Sequence, residues 1–149
     1  MNQRPSLTLR RRLAASPARV FRAWTVPEKM ARWWGTDGGP VLLAETDLRI
    51  GGAFRVAFRT ADGSYNEVGG LYREIVTDER LVFTWAWHST PERQSQVTVA
   101  LRPDGEGTML TLFHEMFVDE KARDDHSKGW TMVLDRLEAA MAQPEGDLR

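Results

Sequence analysis

The chain has 149 residues, 42% apolar and 28% charged, with a formal net charge of −1 and no cysteine. That length suits one domain, expected over 1–149 with its core at about 6–142 and a tail at 143–149, and it lets roughly 68–70% of the unfolded surface be buried without covalent staples. Lack of cysteine excludes disulfides, thiolate zinc sites and cysteine nucleophiles, near-neutral charge gives no basic field for nucleic acid or a membrane, and no apolar run is long enough for a signal or span, so a cytoplasmic protein is expected.

Over Ser6–Leu13, Leu7, Leu9 and Leu13 alternate with Thr8, Arg10 and Arg12, which predicts a strand. The Arg10-Arg11-Arg12 run makes no single patch, because adjacent strand residues face opposite sides. Ser16-Pro17 marks a helix start, serine as cap and proline at the first helical position; Val20, Phe21 and Trp24 then share one face. Pro27 opens a second short helix that carries Met30, Trp33 and Trp34 and stops at Gly35.

From residue 41 the apolar period drops from about 3.6 to 2. Strands are expected at Val41–Leu48, Ala53–Arg59, Asn66–Val76, Arg80–His88, Gln94–Arg102 and Thr108–His114. A Gly51-Gly52 bend and turns at Asp62-Gly63 and Asp104-Gly105 separate some of them. Short turns between successive strands make an antiparallel meander. The last element is a helix over Glu120–Ala142, ended before Pro144, with Trp130, Val133, Leu134, Leu137 and Met141 as its apolar stripe. Its length of roughly 33 Å is enough to cross a sheet.

The fold class is therefore α+β: a curved antiparallel sheet of six to seven strands, two short helices after the first strand, and a long C-terminal helix across the concave face. Alternation leaves the other face wet. One helix, about 10 Å wide, cannot fill the hollow of so strongly twisted a sheet. A cavity between helix and sheet is expected.

Four segments carry a resemblance to a known family. They are Ala15-Ser16-Pro17-Ala18-Arg19-Val20-Phe21 with Ala23-Trp24 and Arg32-Trp33-Trp34-Gly35; Asp47-Leu48-Arg49-Ile50-Gly51-Gly52-Ala53-Phe54; Glu79-Arg80-Leu81-Val82-Phe83-Thr84-Trp85; and Thr111-Leu112-Phe113-His114-Glu115 with His126-Ser127-Lys128-Gly129-Trp130 and Leu134-Asp135-Arg136-Leu137. In this order, over about residues 6–141, the chain resembles the SRPBCC (START-like, helix-grip) superfamily. Within it, the likeness is to bacterial proteins similar to the C-terminal domain of the heat-shock protein 90 ATPase activator. Val26 stands where the family usually caps its second helix with Asp, a loss of about 1 kcal/mol. The resemblance implies a fold and a cavity for apolar small molecules more than a reaction. Superfamily relatives include polyketide cyclases and aromatases, lipid carriers and proteins that sequester toxic natural products; the eukaryotic activator domain contacts a chaperone.

His88, His114 and His126 are the only histidines, none at i, i+4 spacing, so no metal is expected. No nucleophile-elbow, Walker or Rossmann glycine pattern occurs, and Gly38-Gly39, Gly51-Gly52 and Gly69-Gly70 read as bends and bulges; no cofactor is expected. Strand parity turns His114 and Tyr72 toward the concave side, as polar anchors or as groups for proton transfer, with a hydrogen-bonded core histidine as the favoured reading of His114. Phe54, Val56, Phe58, Phe83, Trp85, Leu110 and Leu112 are expected as cavity walls from the sheet, and Trp130, Val133 and Leu137 as the lid, with His126 approaching from the same helix. Trp34 is assigned to the entrance beside the loop Gly35 to Gly39, and Trp33 to the core. Gly129 inside a helix costs about 1 kcal/mol relative to Ala; close packing on the sheet is the favoured compensation, room at the cavity mouth the other. The leading expectation is binding of an apolar or aromatic small molecule. A cyclase-type or aromatase-type enzyme using His114 or Tyr72, and a module that contacts a chaperone, are the alternatives; a homodimer through a strand edge is also compatible.

Overall fold

The computed structural model describes residues 4–35 and 41–144. In it β1 (Leu7–Leu13) leads into α1 (Pro17–Thr25) and α2 (Pro27–Met30). Six strands follow: β2 (Val41–Thr46), β3 (Ala53–Arg59), β4 (Tyr65–Val76), β5 (Arg80–Trp87), β6 (Ser95–Asp104) and β7 (Gly107–Glu115). The 22-residue α3 (Glu120–Met141) closes the chain. All seven strands pair antiparallel in one sheet of order β1-β7-β6-β5-β4-β3-β2. This is the expected α+β helix-grip architecture. Of the expected glycine-rich loop and the expected tail, residues 36–40 and 145–149 lie outside the described residues.

The strands form where the alternation demands. In β3, Phe54, Val56 and Phe58 are buried while Arg55 and Arg59 are exposed. The arginine run splits as strand geometry requires: Arg11 pairs with Asp135 and Glu138 on α3, whereas Arg12 pairs with Asp104 on β6. At the bend before β3, Gly51 has φ +82°, and a Cβ on Gly52 would stand 2.0 Å from the Asp47 carbonyl oxygen. The bend is tied to β4, since the Gly51 N–H donates to the Tyr72 carbonyl and the Tyr72 N–H donates to that of Gly52.

Side chains finish the helices. The Ser16 hydroxyl accepts from the Arg19 N–H, and the Asp119 carboxylate accepts from that of Ala122 at 2.8 Å. At the far end of α3 the Arg19 guanidinium donates to the carbonyls of Met141 and Ala140, satisfying two last-turn acceptors and joining α1 to α3. The second helix is shorter than expected. Val26 offers no side-chain cap, Gly35 has φ +100°, and the helix stops at Met30; Trp33 and Trp34 occupy the turns behind it. Likewise β2 ends at Thr46 rather than Leu48, because the backbone turns after Asp47, the Arg49 N–H donating to the Asp47 carbonyl and the Gly52 N–H to that of Arg49.

The concave face was expected to depend on the long helix alone, and that expectation needs correcting. Helix α1 packs on β6 and β7, α2 on β2, and α3 on β1. The hollow therefore has three lids, and the indoles of α1, of α3 and of the turns after α2 are buried within it. No helix among the described residues is long and apolar enough to cross a membrane.

Candidate functional site

What remains open is a cavity of about 300 Å³ beside the middle of α3. Trp34 reaches it from the turn after α2, Phe58 from β3, and Trp85 and Trp87 from β5. Helix α3 supplies Asp125, His126, Gly129, Trp130 and Val133. Two periodicities build the wall: residues two apart on a strand share a side, as do residues three and four apart on a helix. The lining is almost wholly apolar.

Behind it the six tryptophans form one connected set of rings. Trp24 stands 4.7 Å from Trp33 and 6.0 Å from both Trp34 and Trp130, centroid to centroid. Trp34 stacks on Trp85 at 6.0 Å, and Trp85 contacts Trp130 at 5.0 Å and Trp87 at 5.6 Å. Such offset and edge-on pairs add roughly 0.5–1.5 kcal/mol each beyond area burial. The Trp33 indole N–H is satisfied by the Ala23 carbonyl at 3.0 Å.

Two histidines tie this set to the sheet and the helix. His126 Nε2 accepts from the indole N–H groups of Trp87 at 2.9 Å and Trp85 at 3.3 Å. With Nε2 accepting, its Nδ1–H donates to the Ala122 carbonyl at 2.8 Å. Burial pushes the His126 pKa down, opposed by the Ala122 bond and the Asp125 charge. His114 is fully buried and its Nδ1 accepts from the Trp130 indole at 3.0 Å. Its Nε2–H therefore donates to Ser95 Oγ, 2.7 Å away, and Ser95 donates on to the Trp85 carbonyl. Burial, with a smaller contribution from His126, takes the His114 pKa down to about 2. Both rings are neutral, with each nitrogen engaged.

A second, inner void of about 10 Å³ lies among Trp24, Met30, Trp34, Phe54, Tyr72 and Phe83. Trp34 separates it from the main cavity. The Tyr72 hydroxyl is pushed up to about 12, chiefly by burial and secondarily by the Asp47 charge.

The expected site residues fall into three groups. Trp34, Phe58, Trp85, His126, Trp130 and Val133 line the main cavity, and Phe54, Tyr72 and Phe83 the inner void. Val56, Leu110, Leu112, Leu137 and His114 are in the packed core with no exposed surface. They line neither void, because α1 and the indoles cover the part of the trough beneath them. Trp87 and Asp125 were not among the expected walls, while Gly129 follows the second of its two readings, room at the cavity mouth. Trp87 shares the parity of Trp85, and Gly129 lies one helical turn from Asp125 and His126, so the signal was present in the period. Close packing does not account for Gly129: it is half-buried on the cavity wall. Among the described residues no group of three or more His, Asp or Glu could hold a metal ion.

Comparison with solved structures returns the same architecture. Protein CV1439 of Chromobacterium violaceum is 30% identical with a TM-score of 0.84, over 93% of this chain and 98% of that one. The AHSA1 protein of Silicibacter pomeroyi is 28% identical with a TM-score of 0.81, over 93% and 98%. CalU16 of Micromonospora echinospora is 26% identical with a TM-score of 0.69, over 96% and 80%. No curated protein matches the chain. With the family description matching residues 14–142, the chain belongs to the Activator of Hsp90 ATPase homolog 1-like protein family.

Proposed function

We propose that the protein binds an apolar or aromatic small molecule in the cavity between the sheet and α3. The observation that carries this reading is the aromatic cavity of about 300 Å³, walled by two indoles and a phenyl ring from the sheet, by the Trp34 indole from the turn after α2, and by one face of α3. Ligand pockets run from roughly 300 to 1,000 Å³, so the guest is compact, of naphthalene rather than steroid size. Only Asp125 and His126 bring titratable groups to the lining, and His126 is neutral and already bonded. Burial of apolar surface is thus the driving term.

A reaction with proton transfer by His114 or Tyr72 has less support. Neither side chain opens onto the cavity, and both nitrogens of His114 are engaged. Contact with a chaperone has no single observation in its favour: the exposed large apolar side chains run from Leu42 on β2 and Leu48 and Ile50 at the bend before β3 to Leu71 on β4, Met116 and Val118 before α3, and Met132 on α3.

Native mass measurement of protein purified from its own host, followed by calorimetry with 2-ethylnaphthalene, tests the reading. A bound small molecule that leaves on denaturation, and hydrocarbon binding abolished by Gly129→Leu in a folded variant, are the expected results. A bare mass together with no heat from the hydrocarbon overturns the proposal.

A further inference from the structure

The main cavity and the inner void share one wall, the Trp34 indole. What lies behind that wall is chemically different from what lies in front. Trp24 is 3% exposed and its Nε1–H has no hydrogen-bond partner; buried donors left this way are rare in folded proteins. Tyr72, also 3% exposed, lines the same void together with Phe54, Phe83 and Met30. A void of about 10 Å³ has room for one water-sized group. Apart from Trp24, Tyr72 and the Trp34 indole, its lining is two phenyl rings and Met30, so a group that satisfies the Trp24 donor there is an oxygen that accepts from the indole and exchanges a hydrogen bond with the phenol.

We infer that the ligand is an apolar molecule with a hydrogen-bond acceptor, a carbonyl or phenolic oxygen, at its inner end, and that Trp34 turns aside to let that oxygen reach Trp24 Nε1 and the Tyr72 hydroxyl. This rests on the small-molecule reading above and adds to it a polarity and a direction of entry. The aromatic body occupies the space between Trp34, Phe58, Trp87 and Trp130. Trp34 lies outside the helices and strands, between the short α2 and Gly35, whose φ of +100° ends the helical path. Its stacking on Trp85 is then replaced by stacking on the guest.

The test compares two probes of nearly equal shape, 2-acetonaphthone and 2-ethylnaphthalene, by calorimetry and by the indole N–H signals in a nitrogen–proton correlation spectrum. The ketone is expected to bind about tenfold more tightly, the scale of satisfying a buried donor, and to move the Trp24 indole signal where the hydrocarbon does not. Tyr72→Phe, which removes only the hydroxyl, is expected to narrow the preference while hydrocarbon affinity stays as it was. Trp24→Phe identifies the signal and removes the remaining preference. In Trp34→Ala the preference persists, since the partition and not the anchor is gone; its loss there assigns the acceptor to Trp34 and overturns the inference. Equal binding of the two probes to the wild-type protein overturns the inference and leaves the small-molecule reading standing. Failure of both probes to bind overturns the two together.

Discussion

His114 shows how one side chain can organise a wet-looking residue into a dry core. It accepts from Trp130 on α3 and donates to Ser95 on β6, so helix and sheet are registered through a single neutral ring. Replacing it, as in His114→Leu, leaves the Trp130 indole and the Ser95 hydroxyl without that partner. The expected loss is on the order of 1–3 kcal/mol per stranded group, read as a lower midpoint in urea with little change in slope. The same ring sets a pH dependence. Its folded pKa, about 2, lies far below the ordinary histidine value near 6.5, so the unfolded chain takes up a proton that the folded chain refuses. Stability is complete above about pH 6.5 and is lost as pH falls toward the folded pKa, at up to about 1.4 kcal/mol per pH unit for one histidine. His126, shifted in the same direction, steepens the fall, and its protonation would set an N–H against the two indole N–H groups it now receives. Urea titrations between pH 7 and 5 should show the decline in the wild-type protein and a shallower one in His114→Leu; equal slopes would refute the assignment.

Among the elements, α3 is where composition and purpose diverge. Gly129 in its interior forgoes about 1 kcal/mol of helix propensity, and the missing side chain leaves space in the cavity wall. Gly129→Ala should therefore raise stability by roughly 0.5–1 kcal/mol in thermal or urea unfolding while trimming the cavity, and Gly129→Leu should block it. In the sheet, glycine serves the opposite need. A Cβ on Gly70 would lie 1.8 Å from the Thr84 carbonyl oxygen on the neighbouring strand, where the Leu71 N–H also bonds Thr84 Oγ1. Gly70→Ala has no free volume to use, and a destabilisation on the order of 3 kcal/mol or more is expected in the same assay. Strands were legible in the sequence because burial on one face imposes a period of 2, as in Phe54, Val56 and Phe58; their ends were set by turns the alternation also marks. The end of α2 was not legible, since Trp33 and Trp34 continue an apolar helical pattern after the hydrogen bonding has loosened. Trp87 was visible as an inward residue but not as a cavity wall, because parity says which side a residue faces and not how far its neighbours fill the space before it.

For the whole molecule, the open space beside α3 is smaller than a single covering helix would leave. One helix over a curved sheet leaves a large void, but three helices and the turns after α2 bring Trp24, Trp33, Trp34 and Trp130 into the trough, and the open remainder is about 300 Å³. Leu110 and Leu112 follow the right parity and still line no cavity, because the helices decide which stretch of the sheet stays uncovered. That information sits in contacts between distant segments, such as Arg19 with Met141, and not in any local period. The indole network has an optical corollary. Rings whose centres stand about 5–6 Å apart pass excitation among themselves faster than they emit, so the six chromophores act as one antenna. A visitor that quenches a single ring would dim them all, and the protein would announce its own occupancy in ultraviolet light without a label.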